Sequence, residues 1–234
     1  MSLVDVARDG AVCLITLRRE EKLNALSTAL ERELGEALAT DDVRSGGCVV
    51  ITGSERAFSA GADLDELQGR SPSDIAAYYR DTGDVYERVA SLPQPTLSAI
   101  SGYCLGGGLE LALATDFRIA APTAIFGFPE VSLGILPSSG GTFRLVRAVG
   151  PARAKELILL RERLTADEAL AAGLVTELAE DPVDRALEHG RRLAELPALA
   201  LSLTKQAIDA MPAGSREAGI LIERLAYGFL AQAE

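Results

Sequence analysis

Apolar and polar positions alternate first and then change period. Residues 2–8 and 11–17 read as strands, with Val4 and Val6, then Val12, Leu14 and Thr16 alternating with Cys13, Ile15 and Leu17. Asp9-Gly10 between them is a hairpin turn signal. After a polar loop, Arg18 to Asn24, Leu26, Leu30, Leu34 and Leu38 fall four apart. That spacing places them on one face of a helix over 28–39, with Ser27 as its cap. Residues 47–52, Gly-Cys-Val-Val-Ile-Thr, form an unbroken apolar run, as a buried parallel strand requires. A loop over 53–63 ends in Phe-Ser-Ala-Gly-Ala-Asp. Ser71-Pro72 opens a helix that stops before Leu92-Pro93, and 95–100 is another short strand. A glycine cluster leads into a helix over 107–115, followed by strands at 116–120 and 124–126. The pattern is helical from Ser138, with a capping box at Thr165–Glu168 and a strand-like break at Gly173-Leu-Val. Helices over 181–195, 197–210 and 215–232 close the chain. The layout is one α/β core with a helical C-terminal portion.

Composition narrows the partners. The net charge of −11 speaks against nucleic acid, which calls for a basic patch. No stretch reaches the run of about 20 apolar residues that a membrane span needs. The N-terminus, Met-Ser-Leu-Val-Asp-Val, lacks the basic start and apolar run of a signal peptide, so a cytoplasmic protein is expected. Cys13, Cys48 and Cys104 lie in separate apolar segments and read as buried free thiols. His189 is the only histidine; it sits in a charged helical stretch with no nucleophile nearby, and metal-ligand spacing is absent. Acid–base chemistry then falls mainly to carboxylates.

Two carboxylates occupy apolar settings. Gly106-Gly107-Gly108 follows a strand and opens a helix, whose first N–H groups can stabilise a negative oxygen. The same glycines also suit a tight turn that packs closely. Glu110 sits between Leu109 and Leu111 on that helix, either as a working group or as a solvent-facing edge residue or structural ion pair, for which Arg118 is a candidate partner. Glu130 follows Phe126-Gly-Phe-Pro129, a setting that raises a carboxyl pKa. Such a pair can hold a water, one member taking a proton while the other delivers one. Ser59-Ala-Gly-Ala-Asp63 is a second glycine-kinked turn, able to supply another N–H to an oxyanion site.

The chain resembles the enoyl-CoA hydratase/isomerase (crotonase) superfamily. The resemblance runs in family order through Lys22-Leu-Asn-Ala-Leu26, Ile51-Thr-Gly53, Ala57 to Leu64, Gly102 to Ala114, Phe128-Pro-Glu130, Leu133 to Pro137, Gly140-Gly-Thr142 and Ala172 to Val175. It implies an α/β fold, a crotonase (ClpP-like) spiral of ββα units over 1–180, with a helical trimerisation region over 181–234. It further implies a homotrimer or dimer of trimers. The substrate would be an acyl-CoA thioester, with no other cofactor, since coenzyme A is part of the substrate. Glu110 and Glu130 match the two catalytic glutamates of the hydratases, and the N–H groups of Ala62 and Gly107 match the oxyanion hole. Lys22, Leu23 and Ala25 would contact coenzyme A, with Arg18 and Arg19 as further cations. Ala60, Asp63 and Leu64 would line the pantetheine and acyl entrance, and Gly106, Pro129 and Ser138 would complete the substrate contacts.

Both glutamates together imply reversible hydration of a 2-enoyl-CoA, because the single-glutamate isomerases typically keep only the match to Glu130. An isomerase or specialised dehydratase on the same scaffold, and a non-catalytic acyl-CoA-binding protein, are the competing readings. Two departures bear on the substrate. The loop before Asn24 reads Arg-Arg-Glu-Glu where the family commonly has Arg-Pro, and Ser138 stands where a typical hydratase has glycine. A hydroxyl at Ser138 could hydrogen-bond the water or an acyl hydroxyl, which points away from a plain straight-chain substrate.

Overall fold

A computed structural model describes residues 2–67, 71, 73–74, 84–160, 163–211 and 215–231. Strands β1 (Val4–Asp9) and β2 (Val12–Leu17) pair antiparallel around the expected turn, where Gly10 takes φ +59°. β3 (Cys48–Thr52) lies parallel to β2, and all five of its residues are buried, as its unbroken apolar run requires. β5 (Thr96–Ile100), β7 (Phe117–Ala120) and β10 (Glu177–Leu178) complete a six-stranded sheet of order β1-β2-β3-β5-β7-β10.

A second sheet holds β4 (Ala57–Ser59), β6 (Tyr103–Leu105), β8 (Ile125–Gly127) and β9 (Leu164–Thr165) in that order. Its pairings are parallel except for β8 with β9. Along the chain the two sheets take strands in turn: β3 then β4, β5 then β6, β7 then β8. Each turn of the chain therefore lays one strand in each sheet, which is the expected spiral of ββα units. The glycine turns that follow β4 and β6, at Gly61 and at Gly106–Gly108, are thereby laid side by side, the Cβ position of Gly61 lying 3.4 Å from Gly107 N.

Several boundaries differ from the pattern, each for a local reason. β4 and β6 are three residues long, too short to show a period, and lie in stretches that read as loop. The late strand is Glu177–Leu178, not Gly173–Val175, because Gly173 takes φ +76° and ends the helix Ala166–Ala171. The helix expected from Ser138 begins at Gly141, after Gly140 at φ +95°. Of the expected 71–92 helix, Asp84–Ala90 is observed; Pro72, Tyr78 and Tyr79 lie outside the described residues.

The main core lies between one face of the large sheet and the helices Thr28–Leu38, Asp84–Ala90 and Gly107–Ala114. Leu26, Leu30, Leu34 and Leu38 are all buried, as their four-residue spacing dictates, and Ser27 Oγ accepts from Leu30 N–H to cap the helix. Helix Pro182–Ala194 covers the other face of the sheet, with Ala186 packed among Val12, Cys48 and Val50. The helices Ala198–Ala210 and Arg216–Leu230 bury almost nothing of their own and expose Ile208, Leu221, Leu225, Tyr227 and Phe229. No helix of the described residues is long and apolar enough to cross a membrane.

Candidate active site

The glycine turn between β6 and helix Gly107–Ala114 is the centre of the site. Gly106 takes φ +50° and ties the turn to β8 by donating its N–H to Gly127 O at 2.9 Å. A Cβ there would lie 2.7 Å from Glu130 Oε1. At Gly108 a Cβ would lie 2.5 Å from Ser59 O, so the helix could not rest on β4. Gly107 has more room, its nearest neighbours being Leu26 Cδ1 and Tyr86 Oη at 3.3 Å. The three glycines thus answer three separate demands: reversal of the chain, an open face to the cleft and close packing. Both readings of the triplet, a packed turn and a donor of amides, hold at once.

The second amide comes from the Ala60–Asp63 loop. Leu26 pairs with this loop through Leu26 N–H to Gly61 O at 2.8 Å and Asp63 N–H to Leu26 O at 3.0 Å. Ala62 N–H takes no part in that pairing and lies 3.6 Å from the Cβ position of Gly107. Gly107 N–H belongs to a first helical turn and has no intrahelical acceptor. Two amides without use in their own turns therefore stand side by side.

The segment beside them is locked from below. Leu23 and Asn24 both adopt left-handed backbone, at φ 52° and 53°. Asn24 is fully buried; its Oδ1 accepts from Arg19 N–H at 2.8 Å and its Nδ2 donates to Ala57 O at 3.0 Å. Arg19 reaches Asp63 Oδ2 at 2.6 Å and donates to Ala25 O at 2.9 Å. Burial alone would raise the Asp63 pKa, but Arg19 and the Asp65 amide outweigh it and hold the carboxyl below its ordinary value.

Glu110 and Glu130 project into one cleft with contrasting partners. Glu110 Oε1 accepts from the backbone N–H groups of Ser139 at 2.7 Å and Gly141 at 2.8 Å. Arg144, buried beneath, donates to Ser139 O at 2.9 Å. Burial raises the Glu110 pKa, while the two amides and the Arg144 charge oppose the rise. Glu130 opens the 3-10 turn Glu130–Leu133, and its buried Oε2 has no hydrogen-bond partner among the described residues. Burial, with the nearby Glu110 charge adding to it, lifts Glu130 to about 7. One carboxyl is thus held by donors that favour its charged form, and the other is left to keep its proton.

Ala60, Ala62, Leu64, Gly106, Gly107, Glu110, Pro129, Glu130 and Ser138 all line this cleft. Lys22, Leu23, Ala25 and Asp63 do not. Asp63 is taken up by Arg19 under the loop, which gives it a supporting place beneath the Ala60–Asp63 turn. Arg19, expected as a phosphate-binding cation, is the other half of that pair. Lys22 is exposed and pairs with Asp65 at 2.8 Å. The alternative partner for Glu110, Arg118, instead donates to Leu174 O at 2.6 Å and Thr115 O at 2.8 Å. His189 pairs with Glu177 and does not line the cleft. Sequence reasoning missed the Ser139 and Gly141 amides, which carry no side-chain signal. It also missed Glu31, whose signal was available: it lies three residues before Leu34 and seven before Leu38, on the apolar stripe. Glu31 and Tyr86 both line the cleft.

Comparison with known proteins gives one consistent family. The description enoyl-CoA hydratase/isomerase matches residues 7–227. A protein of Rhizobium meliloti (strain 1021) named "Probable enoyl-CoA hydratase" is 44% identical over 87% of this chain and 80% of its own length. The 2,3-dehydroadipyl-CoA hydratase of Escherichia coli (strain K12) is 41% identical over 100% of this chain and 92% of its own. Among solved structures, an enoyl-CoA hydratase from Bacillus anthracis superposes with a TM-score of 0.91 at 38% identity, covering 97% of this chain and 90% of that one.

Proposed function

The chain belongs to the enoyl-CoA hydratase/isomerase family, and we infer that it is a hydratase that adds water reversibly across the 2,3 double bond of 2-enoyl-CoA thioesters. The observation that carries this reading is the unlike pair of buried glutamates across one cleft, beside two amides with no acceptor among the described residues. The thioester oxygen binds the N–H groups of Ala62 and Gly107. Water held between the carboxyls loses a proton to Glu110 as its oxygen bonds to C3. The π electrons of the double bond move toward the thioester, and the enolate oxygen is stabilised by the two amides. Glu130 then delivers its proton to C2, which restores the thioester carbonyl. Transfer of the proton from Glu110 back to Glu130 resets the pair. Dehydration runs the same steps backward.

Coenzyme A enters as part of the substrate, and the reaction calls for no other cofactor. The N–H groups of Leu23, Asn24 and Ala25 are used within their own turn, so this segment offers carbonyl oxygens to the adenine, and Lys22 is the nearby exposed cation for a phosphate. Assembly as a trimer or a dimer of trimers is supported by the apolar residues that Ala198–Ala210 and Arg216–Leu230 leave uncovered. Three buried free thiols are in keeping with a reducing compartment such as the cytoplasm.

Hydration of crotonyl-CoA, followed as loss of the conjugated thioester absorbance, tests the reading. Glu110→Gln should lower kcat by about 10² or more while the fold is retained. No turnover across short, long and branched 2-enoyl-CoAs, with turnover of a 3-enoyl-CoA instead, would replace the hydratase by an isomerase.

A further inference from the structure

The amides that hold Glu110 belong to a short turn, and one buried cation holds that turn. Arg144 is 8% exposed, in the first turn of helix Gly141–Leu159. Its guanidinium folds back toward the start of the helix. Nη1 donates to Ser139 O at 2.9 Å, and Nη2 donates to Glu87 Oε1 on helix Asp84–Ala90. The group also lies over the Phe143 ring, 4.8 Å from its centroid. Gly140 leaves the space for it, since a Cβ there would overlap Arg144 Nη1. Ser139 is thus gripped at both ends: its N–H donates to Glu110 Oε1 and its C=O accepts from Arg144. Fixing Arg144 fixes where the cradle amides point.

The charge matters as much as the geometry. Glu31, Tyr86, Glu110 and Glu130 are the titratable groups on the cleft, and among the described residues no lysine or arginine lines it. Burial pushes Glu110 toward its protonated form, in which it could not take a proton from water. The Gly141 and Ser139 amides oppose that push, and so does Arg144 from beneath. Arg144 therefore acts twice, by holding one of the amides and by bringing the opposite charge. A buried guanidinium is costly without a partner, and Glu87 supplies one. Glu87 also belongs to the helix that brings Tyr86 to the cleft, so this ion pair joins two sides of the site.

Resting on the hydratase reading, we propose that Arg144, pinned by Glu87, is a positioning residue for the activation of water: it holds the Ser139–Gly141 turn against Glu110, so that this carboxyl meets the water ionised and in one orientation. Neither Arg144 nor Glu87 lines the cleft, so both act through Glu110.

The experiment makes Arg144→Met and Glu87→Ala, each in the wild-type and in the Glu110→Gln background, and follows crotonyl-CoA hydration. Methionine keeps an apolar stem in place of the arginine stem, and the Glu87 left behind is 59% exposed, so the fold should hold. In the wild-type background Arg144→Met should lower kcat by about 10², with KM changed by less than about threefold. The acid limb of its kcat/KM profile should move to higher pH, because Glu110 loses the opposing charge. In the Glu110→Gln background the same substitution should cost less than about threefold in kcat, since the group it acts through is gone. Arg144→Lys, which restores a charge, should bring the limb back toward its wild-type position. Glu87→Ala, at an exposed residue, should lower kcat by about threefold or more in the wild-type background and leave it unchanged in Glu110→Gln. Equal losses in the two backgrounds, or an acid limb that Arg144→Met does not move, overturn the positioning role and leave the hydratase standing. If the wild-type protein hydrates no 2-enoyl-CoA, the hydratase reading fails. An NMR titration of the Glu110 carboxyl carbon then decides the role of Arg144 alone: a higher midpoint in Arg144→Met upholds it, and an equal midpoint overturns it.

Discussion

Glu130→Gln should exchange activity for stability, and the exchange should depend on pH. The carboxyl is lifted from 4.5 to about 7 by burial and by the Glu110 charge. Each pKa unit corresponds to about 1.4 kcal/mol, so the gap amounts to about 3 kcal/mol. The neutral form is the one the fold favours. Its contribution is therefore whole below about pH 4.5 and is lost as pH rises through about 7. Glutamine has the same shape and no proton to lose. At pH 5 the variant and the wild type should differ little. At pH 8 the variant should be more stable by about 3 kcal/mol, or about 6–12 °C in Tm for a chain of this size. Over the same range the wild-type hydration rate should decline, since the acid that supplies the C2 proton is being titrated. The variant's kcat should be lower by about 10² or more at every pH. Urea unfolding and thermal scans of both proteins at pH 5 and pH 8, at one fixed protein concentration, measure the gap. An equal gap at the two pH values, or a less stable variant at pH 8, would refute the reasoning that Glu130 is held protonated by its surroundings.

Two further substitutions probe the supports of the site. Alanine at Gly141 would place a Cβ 2.7 Å from Glu110 Oε1 and 2.9 Å from Pro137 Cβ. Overpacking this buried position should cost about 1–3 kcal/mol of stability while kcat drops by about 10²; unchanged kcat would show that the amide cradle does not position Glu110. Arg19→Met leaves Asp63, only 7% exposed, buried without its cation. The cost should be about 3 kcal/mol in urea unfolding, with a higher KM for acyl-CoA, because the oxyanion loop loses its anchor. The wild-type contribution of this pair is present above the ordinary aspartate pKa and lost as pH falls below it, so the variant should also lose that acid dependence.

The sequence by itself determined the elements whose signals are periodic or covalent. Leu26, Leu30, Leu34 and Leu38 needed only their spacing to declare a buried helix face, and Cys48–Thr52 needed only its unbroken apolarity to declare a central strand. The order of the short motifs around Gly107, Glu110 and Glu130 was enough to suggest the family, and the two acids lie on one cleft. Tertiary structure decided what surrounds them. Glu110 is held by the amides of Ser139 and Gly141, some thirty residues on; a backbone donor has no residue type, so no motif could announce it. Arg19 and Asp63 read as surface and entrance residues, yet the fold turns them inward on each other, since two charges near a buried loop are cheaper together than apart. Glu31 broke the apolar stripe in plain sight, but only the folded chain shows that the break faces the cleft and meets Tyr86 from a separate helix. Spacing along one chain fixes which face a residue takes on its own element. What that face meets depends on contacts between distant segments, and those exist only once the spiral has closed.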